Sequence, residues 1–166
     1  MTSETRVIKR ARFGVVVHTI LMDGQRVYLL KRAPEVAFGG LWSLPGGYVE
    51  SGEGLAEAAI RECFEEVGVR LANPSLLGVM SYRSRESEDE LSQGYNFIFL
   101  GQSFEGTPQN CEPAQFSEGG YVAVDTLPED CVRWLPDALG FLGPDRQTAN
   151  AQPTLNVPGL VEYVWD

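Results

Sequence analysis

One segment limits what this chain can fold into more than any other. Residues 51–67 read SGEGLAEAAIRECFEEV, with apolar positions recurring at helical spacing, and Gly68 follows them. Glycine just past a helix adopts the left-handed conformation that ends it. The pattern predicts a helix from Ser51 to Val67. On either side the periodicity changes. Phe13–Leu21 and Arg26–Lys31 are rich in Val, Ile, Leu and Tyr, and Asp23-Gly24 between them is a hairpin signal. "SLLGVMSYRSR", "YNFIFLGQSF" and "YVAVDTLP" read as further strands, "ESEDELSQG" as a solvated loop, and "PEDCVRWLPDALGFL" as a second helix or helical turns. "RAPEVAFGGLWSLPGG" is dense in Gly and Pro and reads as an ordered loop. Strands flanking a central helix, with another helix near the end, predict an α/β or α+β layered fold. From Gly143 to Gly159 the composition shifts to Pro, Asn, Gln and Gly, so residues 143–166 read as an extended tail, with "LVEYVWD" docking back.

The central helix carries an electrostatic oddity. With Glu62 at zero and about 100° per residue, Glu65 falls at about 300° and Glu66 at about 40°. Ala56, Ala59, Ile60, Cys63 and Val67 fall between about 60° and 160°, which is the expected core face. Three carboxylates thus share an arc on the rim of the buried side. Like charges at this spacing repel. Arg61 can pair with Glu57 or Glu65 at i±4, which leaves Glu62 and Glu66 without a cation. A plain acidic solvent face is one reading. The other is a site for a hard cation, because oxygen ligands suit Mg²⁺, which takes one or two carboxylates plus waters and substrate phosphates. Gly46-Gly47 lets backbone approach the same place. Metal-assisted attack of water on phosphorus is the chemistry such an arrangement serves.

Composition removes several alternatives. The net charge of −10 over 166 residues does not support a broad track for a nucleic acid polymer. A small anionic ligand stays open, since a divalent ion reverses the local field. Three cysteines, Cys63, Cys111 and Cys131, form no CxxC pair, which disfavours a disulfide framework or a zinc site. No apolar run is long enough to span a membrane, and the N-terminal segment, residues 1–11, lacks a signal-peptide cleavage pattern. A cytoplasmic protein is expected. The one histidine, His18, lies inside "FGVVVHTIL" and reads as a packed strand residue, so a histidine-base mechanism is disfavoured.

"GYVESGEGLAEAAIRECFEEVGV", Gly47 to Val69, resembles the signature of the Nudix hydrolases: Gly, five residues, Glu, seven residues, then Arg-Glu-aliphatic-any-Glu-Glu-any-Gly-aliphatic. Here these are Gly47, Glu53, Arg61, Glu62, Cys63, Glu65, Glu66, Gly68 and Val69. Cys63 stands at an aliphatic position, where a buried thiol behaves as a small hydrophobe. "VYLLKR", "GLWSLPGG" and "YVAVDTLPED" also look like their counterparts in the MutT-like branch, so the domain is expected to run from Arg12 to Leu142. The resemblance implies an α/β/α sandwich with a mixed sheet, and hydrolysis of a nucleoside diphosphate linked to another group, using Mg²⁺ or Mn²⁺. By carry-over Glu62, Glu65 and Glu66 are metal ligands together with the Gly46 carbonyl, and Glu62 most often also orients or deprotonates the attacking water. Arg61 is expected to pair with Glu53 and brace the helix. A further acid from the loop before the last strand often completes the site, and Glu118 and Glu112 are both candidates.

The head group is read outside the motif. "VRWLPDAL" resembles the place where MutT-like triphosphatases of oxidised purines carry a Trp and acids near the base. Trp134 can stack on a base and Asp137 can bond its edge, while the plain reading makes Trp134 a core residue of the last helix. Phe38 and Trp42 share that ambiguity. The leading expectation is an Mg²⁺-dependent pyrophosphohydrolase of nucleoside di- or triphosphates, monomeric or homodimeric. Hydrolysis of ADP-ribose or a nucleotide sugar is the alternative, and a non-catalytic nucleotide-sensing module is a third.

Overall fold

The computed structural model describes residues 12–84, 93–143 and 161–165. Its centre is strand β1, Gly14–Asp23, which turns through Gly24-Gln25 into β2, Arg26–Arg32. The turn lies one residue later than Asp23-Gly24 suggests: Asp23 pairs with Arg26, and Gly24 takes φ +60. Short strands β3, Trp42–Ser43, and β4, Gly46–Tyr48, follow from the Gly/Pro-rich segment. Helix α1, Leu55–Val67, comes next, then β5, Arg70–Ala72, β6, Ser75–Ser84, β7, Gln93–Gly101, and β8, Ser103–Glu105. Strand β9, Phe116–Ala123, leads to a short helix α2, Leu135–Gly140, and β10, Val161–Trp165, closes the order. The acidic segment at 86–94 falls mostly outside the described residues.

The main sheet has eight strands in the order β10-β6-β7-β1-β2-β3, with β4 joined to β1 and β9 to β2. It is mixed: β1 runs parallel to β7, β10 parallel to β6, and the other pairs are antiparallel. One edge of β1 is shared. Its middle, Val16–His18, pairs with β4, and its end, Met22–Asp23, pairs with β2. Strands β5 and β8 form a separate two-stranded ladder.

Alternation along the strands sorts the apolar residues into two layers. Leu21, Tyr28 and Leu30 pack with Cys63 and Val67 of α1, and Val17 packs with Ala58 and Ala59. Ile20, Val27 and Leu29 face the other way and pack with Leu135, Ala138 and Leu139 of α2. Helices on both faces of one mixed sheet make the α/β/α sandwich that the family resemblance implies. β10 pairs with β6 from Val161–Met80 to Trp165–Ser84, so residues beyond 142 contribute an edge strand to this sheet.

Candidate functional site

The site is built where α1 meets β4. The helix starts at Leu55, not Ser51, because Gly52 takes φ +87 and turns the chain first. Gly54 N–H donates to Glu57 Oε2 at 2.7 Å, half of a capping box. Glu57 is thereby occupied at the helix start. The other end stops as expected: Gly68 sits at φ +72, and Gly68 and Val69 N–H bond back to Phe64 and Cys63 carbonyls.

The burial of α1 differs from the helical wheel in one respect that matters. Ala58, Ala59, Cys63, Glu66 and Val67 are buried, while Ala56 is exposed. The core arc is therefore rotated toward the carboxylates, and Glu66 lies inside it at 6% exposure. Its Oε2 accepts from Gly46 N–H at 2.7 Å. Burial, with Glu62 and Glu112 nearby, pushes its carboxyl up to about 8. Burial also raises Glu62, against the opposing pull of Arg61.

Both glycines of the loop are sterically required. Gly46 sits at φ +148 and a Cβ there would run into the Val17 carbonyl oxygen. A Cβ on Gly47 would stand 2.6 Å from Glu62 Oε1. Loop backbone and helix carboxylate thus share one place.

Arg61 organises the acids and does more than the i±4 reading allows. Its Nε and Nη2 grip Glu53 at 2.8 and 3.0 Å in a two-pronged pair. Nη1 reaches Glu62 Oε1 at 2.8 Å and Glu65 Oε2 at 3.0 Å, and Nη2 also donates to the Tyr48 carbonyl at 3.0 Å. The guanidinium's five donors are engaged. This holds Glu53 below the usual carboxylate range and Arg61 above its ordinary value. Glu62 is therefore compensated, a correction to the sequence reading, and among the described residues Glu66 is left without a cation in contact. Glu62 and Glu65 both turn to Arg61, and among the described residues no three acidic, Cys or His side chains converge as a ready-made metal cage.

The two loop acids separate in space. Cys111 N–H bonds the Glu66 carbonyl at 2.8 Å and Gln109 N–H the Val67 carbonyl at 3.1 Å. Loop 109–112 thereby caps the C-terminal end of α1 and brings Glu112 close enough to raise both Glu62 and Glu66. Glu118 lies instead in β9, in register with Lys31 and 3.9 Å from its Nζ, with its side chain 61% exposed. Lys31 also holds Asp130 at 2.9 Å.

Arg32, at the end of β2, is a residue that the sequence reading did not single out. Its charge lowers both Glu66 and His18. The signal was a cation closing a strand immediately before the Gly-rich loop. On the α2 face, His18 pairs across the ladder with Gly46, and its Nδ1 lies 2.9 Å from Asn96 Oδ1. Burial moves its pKa down to about 4, so the ring is neutral at pH 7. The Trp134 ring stands 4.6 Å from it. Trp134 is partly buried against the α2-side core, and Asp137 is exposed in the first turn of α2. Trp42 is partly buried with Lys31 over its ring, and Phe38 is exposed.

The NUDIX domain model matches residues 12–139. A Bacillus subtilis protein named as a candidate 8-oxo-dGTP diphosphatase is 37% identical over 84 residues, 51% of this chain and 52% of its own. A Methanocaldococcus jannaschii protein named ADP-ribose pyrophosphatase is 42% identical over 73 residues, 44% of this chain and 43% of its own. The chain spans about half the length of the curated relatives it matches. The crystal structure of a MutT NUDIX hydrolase from Burkholderia pseudomallei superposes with a TM-score of 0.68 and 28% identity, over 78% of this chain and 96% of that one. With the loop and helix of Gly47–Val69 folded around Arg61 and the match running from 12 to 139, the chain belongs to the Nudix family.

Proposed function

We propose that this protein hydrolyses a phosphoanhydride bond in a nucleoside di- or triphosphate, with Mg²⁺ or Mn²⁺ bound. The observation that carries the reading is the packing of Glu62 and the buried Glu66 against Gly46-Gly47, with loop 109–112 bringing Glu112 alongside. A buried carboxylate without a contacting cation among the described residues fits a divalent ion, and the donor set is entirely oxygen. Glu62, Glu65, Glu66 and the Gly46 carbonyl would hold it, with Glu112 rather than Glu118 as the acid from outside the motif, because Glu118 is engaged by Lys31. When bound, the ion supplies charge neutralisation for the phosphates and a more acidic water.

The chain's own groups divide the remaining work. Glu62 orients and deprotonates the attacking water. Arg61 holds Glu62 and Glu65 and ties the helix to the loop through Glu53. Arg32 supplies the positive charge that draws a phosphate past the acids. The nucleotide is the only partner this reading requires.

Incubation with a nucleotide panel and Mg²⁺ tests it. Release of phosphate or pyrophosphate is expected, and a folded sample that releases neither from any nucleotide sinks the reading. The relative named ADP-ribose pyrophosphatase favours a second reading, hydrolysis of ADP-ribose or a nucleotide sugar. Its signature is nucleoside monophosphate plus sugar phosphate. Tight nucleotide binding with no turnover would instead mark a sensing module.

A further inference from the structure

Helix α1 has a third side, turned neither to the sheet nor to the acids. Glu57, Ile60 and Phe64 stand at i, i+3 and i+7, so they line up along one stripe of the helix. With Arg61, and with Arg70 and Leu71 of β5, they border an open hollow of about 420 Å³. Phe64 leaves 45% of its surface exposed, and an apolar stripe rimmed by charge marks a contact with another protein. The charges at the hollow form a complementary set. The Arg61 guanidinium is taken up by Glu53, Glu62 and Glu65. That leaves Glu57 at one end and Arg70 at the other, where Arg70 Cζ lies 4.3 Å from the centre of the Phe64 ring. Among the described residues no carboxylate forms an ion pair with Arg70. Glu57 uses one oxygen on the Gly54 N–H, and its other oxygen is unengaged among the described residues.

We propose that this side of α1 is the contact between two copies of the chain, related by a two-fold axis that passes beside Ile60 and lays the two helices antiparallel. Seven residues of helix separate Glu57 from Phe64, about 10 Å along its axis. Turning one copy over therefore brings its Glu57 to the end of the groove where Arg70 of the second copy covers the Phe64 ring, and the reverse pair forms at the other end. A two-fold contact requires such self-complementarity, with residue i meeting j and j meeting i. A partner of one charge, acidic or basic, would gain at one end of the hollow and lose at the other. One helix side and part of one short strand make a small interface, so the dimer is expected to come apart on dilution. Glu57 and Arg70 take no part in the proposed reaction, so the contact stands or falls apart from it.

Sedimentation of the full-length protein over two decades of concentration tests it. A monomer that passes reversibly into a dimer as concentration rises is expected. A monomer throughout leaves the groove to some other partner and overturns the proposal, and so does growth beyond the dimer. Phe64→Glu puts a carboxylate in the middle of the contact and should hold the protein monomeric over the whole range. A dimer that tolerates this change uses another surface and overturns the proposal. The charge swaps test the antiparallel pairing. Glu57→Arg alone sets two cations against each other at both ends, and Arg70→Glu alone sets two carboxylates, so each should weaken the dimer by about tenfold or more. Mixed in equal amounts, the two variants restore an opposite pair at both ends of a mixed dimer, which should form where neither variant dimerises alone. A mixture no heavier than its parts overturns the proposal. Glu57→Arg also gives up the bond to the Gly54 N–H, so circular dichroism checks its helix. If that variant fails to fold, Phe64→Glu, whose side chain makes no capping bond, decides.

Discussion

Glu66 is the residue on which folding and chemistry make opposite demands. Its burial raises the cost of its charge, and the Gly46 N–H offsets only part of that. Glu66→Gln keeps an oxygen for Gly46 and removes the charge. Turnover should fall by about 100-fold or more, while the melting temperature without added metal stays level or rises. Full activity in this variant would remove Glu66 from the site. Gly47→Ala makes the complementary test, because its Cβ meets Glu62 Oε1. Displacing that carboxylate should cost about 100-fold in kcat/KM with the far-ultraviolet circular dichroism unchanged. His18 governs a different measurement. Its pKa is 6.5 in the unfolded chain and about 4 when folded, so the unfolded state binds the extra proton between those values. The stability that the neutral ring contributes is complete above pH 6.5 and is lost as pH falls toward 4. Melting curves over that window should fall less for His18→Gln, by about 2 kcal/mol at the acid end. The placing of Glu62, Glu65 and Glu66 on one side of α1 was legible in the sequence because their spacing is local. Glu112 was not separable from Glu118, because loop 109–112 is positioned by backbone bonds to α1 that no local pattern records.

Helix α1 shows which parts of an element can be read in advance. Its end was legible, since Gly68 satisfies a local steric need. Its start was placed early: Ser51-Gly52-Glu53-Gly54 carries two glycines that disfavour a helix, and Gly52 at φ +87 turns the chain before Leu55. Gly68→Ala puts a Cβ on a left-handed residue and 3.0 Å from Cys111 Sγ. It should destabilise by about 1–2 kcal/mol, read as a lower denaturant midpoint, and it should also loosen loop 109–112. An unchanged midpoint would mean that the cap contributes nothing. β9 begins at Phe116, five positions before the run "YVAVDTLP". Gly119 and Gly120 hid that start, since glycine weakens a strand pattern. Gly119 is there because a Cβ would stand 2.6 Å from the Tyr28 hydroxyl.

The whole molecule is organised around pairings that no short segment announces. An α/β or α+β layered fold followed from the alternation of element types, and the α/β/α sandwich from the family resemblance, but the place of β10 on β6 depended on contacts made across the length of the chain. Ending the chain after Gly143 removes that strand and leaves the β6 edge open. Open edges pair with other chains, so the shortened protein should melt earlier and self-associate in light scattering, and identical behaviour would show the strand to be dispensable. β1 meets β7 at a constant offset of 80 residues, Gly14 with Gly94 and Leu21 with Gly101. At roughly 5–20 residues per second of synthesis, β1 waits about 4–16 seconds for that neighbour to be made. During translation it can join β2, then β4, yet its other edge stays unmatched until the chain has passed Gly101. The unmatched edge of β1 is therefore open to other chains over this interval, and a pause placed before β7 would lengthen its exposure more than one placed after.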